Sequence, residues 1–351
     1  MTSLPRTLPE RLQQHPRTSH IASAYGVCLK LEASLQVDTD NGKDVGRGMI
    51  YCRILGYLLH YVPGELGLRH LVSEIVSCDG DTSLLKLGQM YFNHYIRAFR
   101  ARKGRTPSHS SHASRPSFDR LADMIKANLV KAPQSHADAK TNALIRDGFR
   151  CVVTGRYDRG SANANRELKD AVDSDPNARL DSTECAHIFA ESTNSAIEPG
   201  SDKRNYAATM WAIMTCFGHA ELPKELNGPK VHRLENVMTL CHDFHTLFDN
   251  LDVWFVPTNE KNKYKLGWAW ASNSRDYPEH VIFKTSDETN LPVPSPNYLA
   301  IHAACAKVAH LSGAAQCIDK LYQDLDDSTT LDPNGASAEI LEHALYQVMV
   351  S

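Results

Sequence analysis

The stretch that decides the reading is Glu235-Asn-Val-Met-Thr-Leu-Cys-His-Asp-Phe-His-Thr-Leu-Phe-Asp249. Its first part, 237–241, is short and apolar and predicts a strand. The run on through Asp249 predicts a helix. Four residues separate His245 from Asp249, so on a helix the two share one face. An imidazole beside a carboxylate makes a mixed nitrogen and oxygen site for a divalent cation. Asn236 stands nine residues before His245, on the strand or turn that feeds the helix. Its amide both donates and accepts, so it can hold a loop or orient an imidazole.

Two further stretches lie upstream, Arg150-Cys-Val-Val-Thr-Gly155 and Glu184-Cys-Ala-His-Ile188. His187 sits in an otherwise apolar run, and a neutral imidazole takes a proton from water when a partner oxygen fixes its tautomer. A base, an orienting group and a metal together suffice for phosphodiester hydrolysis.

At these residues the chain resembles the HNH endonuclease family with its ββα-metal finger: His187 within Ala-His-Ile, Asn236, and His245 nine residues on. The opening Arg-Cys-Val-Val-Thr-Gly is similar to the start of that module, and His-Thr-Leu-Phe-Asp is similar to one branch's last helix. As a whole the chain resembles fungal proteins that join a helical N-terminal part to this module. The resemblance implies His187 as general base, Asn236 as brace of the ββ loop, and His245 and Asp249 as ligands of one divalent ion, Mg²⁺, Mn²⁺ or Zn²⁺. Many members carry Asp or His directly before the base. Here that position is Ala186, and Glu184 is the candidate for the missing ligand. Where some members carry structural CxxC pairs, Thr154 and Phe244 replace second thiols beside Cys151 and Cys241, so no structural zinc is expected. The 49 residues from His187 to Asn236 exceed what the compact module needs, which predicts a helical insertion that leaves the finger.

Each residue also has a plainer reading. His187 alone reads as a hydrogen-bonded core histidine. His245 and Asp249 alone read as an ordinary helix pair, worth only ~0.2–0.5 kcal/mol. His242 reads as solvated on another side of the helix. Cys151, Cys185 and Cys241 read as small buried hydrophobes, or else as a thiol cluster that binds zinc. Trp254, Phe255, Trp268 and Trp270 read as core, with base stacking as the alternative for an exposed member.

The 351 residues allow two or three domains and a core without disulfide staples. Nine scattered cysteines with no CxxC predict reduced thiols in an intracellular protein of the nucleus or cytoplasm, and the start lacks a secretory pattern. No apolar run approaches a membrane helix. A net charge of −3 means that nucleic-acid contact must come from a local basic patch.

The candidate patch is Arg100, Arg102, Lys103 and Arg105, together with Arg97; the alternative is a solvated helix end. Apolar spacing predicts helices over 48–62, 84–99, 139–146 and 205–218, and one from Ser117 as N-cap through Phe118, Leu121, Ile125 and Leu129. Phe149, Cys151 and Val153 alternate like a strand, 156–180 reads as an exposed loop, and 252–256 with 264–270 reads as a hairpin. The C-terminal part holds three helical candidates, the last near 340–348.

The expected architecture is α+β: a disordered 1–20, a helical 21–105, a Ser/His/Pro linker at 106–116, an HNH-like domain over 117–275 and a helical 276–351. The expected activity is metal-dependent cleavage of nucleic acid, DNA ahead of RNA. The alternative is a catalytically degenerate module that binds nucleic acid or a protein.

Overall fold

A computed structural model describes residues 2–100, 116–128, 137–193, 197 and 201–327. Arg102, Lys103, Arg105, the Ser/His/Pro stretch through residue 115, Leu129 and the helix expected near 340–348 lie outside the described residues. Among the described residues, no helix is long and apolar enough to cross a membrane. The chain divides into two compact units, residues 1–130, 192–225 and 304–351, and residues 131–191 and 226–303. The protein is α+β, as its sequence implies, with helices predominating and, among the described residues, three small sheets.

The first unit is helical. Helix Gly48–Tyr61 carries apolar residues on nearly every side and is buried along most of its length. It packs on helices Thr18–Asp40 and Asp81–Tyr91. The latter continues as a π-helical segment, Phe92–Ile96, so the single helix expected over 84–99 begins earlier and changes its winding before it ends. Helix Asp202–Cys216 belongs to this unit, so the residues between His187 and Asn236 do leave the second unit as predicted. Helix Pro116–Asn128 packs against it; the helix begins one residue before Ser117, which is therefore no N-cap, and groups with the first unit instead of the central domain.

The N-terminus corrects the expectation of disorder. Leu4, Leu8 and Leu12 are buried, and a short helix spans Glu10–Gln13. The Leu4 N–H donates to the Glu32 carboxylate at 3.1 and 3.2 Å, and Arg53 Nε donates to the same carboxylate at 2.5 Å. Three spaced leucines in a Pro-rich, Arg-rich stretch anchor it where composition alone pointed to solvent.

The second unit is built from short strands. Strands β1 (Tyr157–Asp158) and β2 (Leu180–Asp181) pair in parallel. Strands β3 (Thr183–His187) and β4 (Val237–Cys241) are antiparallel, with Glu184 opposite Leu240 and His187 opposite Val237. Strands β5 (Val253–Pro257), β6 (Lys263–Trp268) and β7 (His280–Ile282) form an antiparallel sheet; the hairpin is as read, and β7 is an addition to it.

Two sequence expectations fail in this unit. Residues 149–153 are a turn with one isolated bridge, Arg150 to Tyr157, because Gly148 and Phe149 both adopt positive φ (63° and 56°) and break any strand. Residues 156–180 are largely exposed, as read, but carry helices Arg159–Ala164 and Arg166–Ser174 in place of a loop. Their N-caps are the side chains of Asp158 and Asn165, which accept from the N–H groups of Ser161 (2.7 Å) and Leu168 (3.1 Å).

Candidate active site

Alternation along β3 sends Glu184 and Ala186 to one face and Cys185 and His187 to the other. On the second face, Cys185 and Val237 pack with Ala139 and Ala143 of helix Ala137–Arg146. The first face meets helix His242–Asp249, as its contacts with Glu184 show. The strand-then-helix reading of the deciding stretch is therefore what the chain does.

On that helix His245 lies between two carboxylates. Its Nδ1 is 2.5 Å from Glu184 Oε2, and its Nε2 is 3.4 Å from Asp249 Oδ1. Burial alone would lower the His245 imidazole, but the Asp249 and Glu184 carboxylates outweigh it and raise the pKa above its ordinary value. Glu184 is lowered: burial opposes the shift, and hydrogen bonds from His245 and His242 win. His242 Nδ1 approaches Glu184 Oε1 at 3.1 Å while its side chain stays 65% exposed, so it is solvated as expected and also paired.

Asn236 is fully buried and forms a clasp. Its Oδ1 accepts from the Phe189 N–H (2.9 Å), and its Nδ2 donates to the carbonyls of Phe189 (3.0 Å) and Val231 (2.8 Å). Its own carbonyl accepts from the Ile188 N–H at 2.8 Å. The amide thus fixes the backbone immediately after His187. The ring of His187 meets His232, with Nε2 and Nδ1 at 3.1 Å. The structure therefore gathers Glu184, His242, His245 and Asp249 in one cluster, and pairs His187 with His232 at the far end of β3, three residues and ~10 Å along the strand from Glu184.

Among the described residues no group of three or more His, Cys, Asp or Glu is arranged to hold a metal ion. Two donors do fit one. The 3.4 Å between His245 Nε2 and Asp249 Oδ1 is the spacing of two ligands that each stand ~2.1 Å from a shared ion. Glu184 is turned to the other nitrogen of His245, the place of a carboxylate that orients a ligating imidazole and does not itself bind the ion. Ala186 offers no donor.

Cys151 and Cys241 are buried side by side. The Cys241 thiol donates to the Cys151 sulfur, which lowers the Cys151 thiol and raises that of Cys241, and the Thr154 N–H also points at Cys151 Sγ (3.4 Å). Cys185 packs with Val237, Ala139 and Ala143, and among the described residues the three thiols do not form a group that could hold a metal ion. Trp254 and Phe255 are core, as read, while Trp270 is half exposed. Arg100 is a correction to the basic patch: it is buried in the first unit, where its guanidinium pairs with Asp319.

Sequence reasoning missed His232, and it missed Arg146 and Asp147, whose side chains are 0% and 2% exposed. Arg146 donates to the Leu234, Pro292 and Val237 carbonyls and to Asp147, while Asp147 also accepts from the Thr239 N–H. The only hint was an Arg-Asp pair at the end of a short mixed-polarity helix, a pattern indistinguishable from a solvated helix end.

Residues 151–256 match the family model described as HNH endonuclease. No curated protein and no solved structure matches the chain. The match supports an HNH-type central segment and suggests a nuclease-type function related to nucleic acid.

Proposed function

We propose that the chain is a metal-dependent endonuclease that hydrolyses DNA phosphodiester bonds, with His187 as general base and His245 and Asp249 as the ligands of one divalent ion. The observation that supports this most strongly is the site helix inside the family segment, where His245 presents Nε2 to Asp249 while Glu184 occupies its Nδ1. A divalent ion bound there supplies charge neutralisation at the scissile phosphate and the leaving oxygen. Glu184 accepts the Nδ1–H of His245, which fixes the tautomer whose Nε2 lone pair is available. The Asn236 clasp holds the turn after β3 and with it the position of His187. His187 accepts a proton from the attacking water, and Ala186 adds no donor to His245 and Asp249 as holders of the ion.

A second reading, a degenerate module that binds nucleic acid or protein without cutting, is favoured by one observation: Ala186 stands where a third protein ligand would be. Calorimetric titration with Mn²⁺ or Zn²⁺ separates the two. Saturable binding that disappears in Asp249→Ala supports the enzyme; no binding by the wild-type chain at any concentration supports the second reading.

A further inference from the structure

A chain of net charge −3 needs a local basic patch to hold nucleic acid, and the buried, paired Arg100 does not supply it. The helical unit carries another collection of cations. Between the start of helix Thr18–Asp40 and helix Glu65–Val76 lies a cleft of about 550 Å³. Four of its lining residues are basic: His15, Arg17, His20 and Arg69. The acidic residue among them is Glu65, whose Oε2 is turned onto His15 Nε2 at 2.7 Å. Two guanidiniums against one carboxylate leave the lining positive at pH 7 even with both imidazoles neutral. Arg17 and Arg69 are exposed, and among the described residues neither guanidinium has an ion-pair or hydrogen-bond partner. Leu68, in the same lining, is buried in the core, so the cleft offers a visitor charge ahead of apolar surface.

Like charges gathered round one concavity repel, and the low-dielectric walls focus their field on whatever anion enters. A guanidinium presents a planar fork of donors that matches the oxygens of a phosphate. Here the two forks come from separate helices, so the cleft offers more than one contact, which suits a chain of phosphates better than a lone carboxylate. We propose that this cleft holds the phosphate backbone of the DNA, with Arg17 and Arg69 each donating to phosphate oxygens and His15 and His20 adding to the positive field. The proposal rests on the nuclease reading above, which supplies the polyanion. Contacts of this kind place and orient a duplex without reading its sequence.

The test is fluorescence anisotropy of a labelled DNA duplex with the full chain, in chelator so that nothing is cut. The wild type should bind. The double variant Arg17→Gln, Arg69→Gln should bind ~10–100-fold more weakly at low salt, and equally so for two duplexes of unrelated sequence. The slope of log affinity against log salt should flatten by about 2, one for each phosphate contact removed. Both residues are exposed, so thermal unfolding of the double variant should match the wild type. A wild type that binds no duplex, a double variant that binds as tightly as the wild type, or a wild type from which polyglutamate displaces the label as well as unlabelled duplex does overturns the proposal. The expected losses in a chain that never nicks plasmid uphold the cleft and defeat only the endonuclease reading. Nicking by a wild type whose affinity the double variant leaves unchanged upholds that reading and defeats the cleft.

Discussion

Between helices Gly48–Tyr61 and Asp81–Tyr91, the contact at Gly88 is so close that a Cβ there would collide with the Tyr51 carbonyl. In the second unit the corresponding work falls to polar side chains. Arg146 satisfies three carbonyls, Asn236 clasps two turns, and Asp158 accepts from Ser161 and from the Thr183 N–H and hydroxyl. The difference follows from element length. Long helices satisfy their own backbone groups and need only shape at their contacts. Strands of two to six residues leave most of the chain outside any ladder, and buried backbone groups must then be met by side chains. The candidate active site belongs to the region wired in this second way, so the residues that hold its fold also aim its imidazoles.

The largest effect expected from this contrast is at Arg146. Arg146→Ala strands the buried Asp147 carboxylate and three carbonyls and should cost ~3–5 kcal/mol. Peptide-resolved hydrogen exchange should show the loss confined to residues 137–191 and 226–303. A loss below about 1 kcal/mol would mean that the polar wiring is dispensable.

Acid should act on the helical unit through buried imidazoles, His60 among them. His60 is 5% exposed, and burial, with the Arg11 charge adding to it, pushes its pKa down to about 4 from 6.5. The folded chain therefore keeps His60 neutral where the unfolded chain takes up a proton. Its stabilising contribution is complete above the unfolded value and is lost as pH falls from about 6.5 towards about 4. Thermal unfolding should register ~2 kcal/mol less stability at pH 5 than at pH 7 from this group. His60→Leu should remove that share of the pH dependence; an unchanged dependence in the variant would show that His60 is not its source.

The smallest effect sharpens the role of shape. Helix propensity alone favours Gly88→Ala by up to ~1 kcal/mol. The Tyr51 backbone has nowhere to yield, so urea unfolding should instead show a net loss of at least about 1 kcal/mol. A gain would mean that the two helices separate at little cost.

The finger was legible because its signals are local. An i,i+4 pair, an asparagine nine residues before it and an apolar run of five specify β4 and the site helix without knowledge of the rest. The insertion after His187 was legible from the length of the gap to Asn236, set against the compact module that the resemblance implies. What stayed hidden depends on distant partners. Leu4 is ordered because Glu32 accepts its N–H and because Gly56 leaves a notch in which a Cβ would stand 2.5 Å from the leucine. His232 gains its meaning from a ring 45 residues earlier, and no spacing rule connects them. The short helices within 156–180 were missed for a different reason. Their caps, Asp158 and Asn165, stand in plain view, but a polar composition masked them.

The central claim, a base at His187 and a divalent ion held by His245 and Asp249, is tested most directly by nicking of supercoiled plasmid. Purified wild-type and His187→Ala chains would be compared side by side in Mg²⁺, Mn²⁺ and Zn²⁺ and in chelator. The account predicts nicking by the wild type that chelator abolishes, and a rate ~10²–10⁴-fold lower in His187→Ala. Equal rates from the two proteins, in any of these ions, would contradict it.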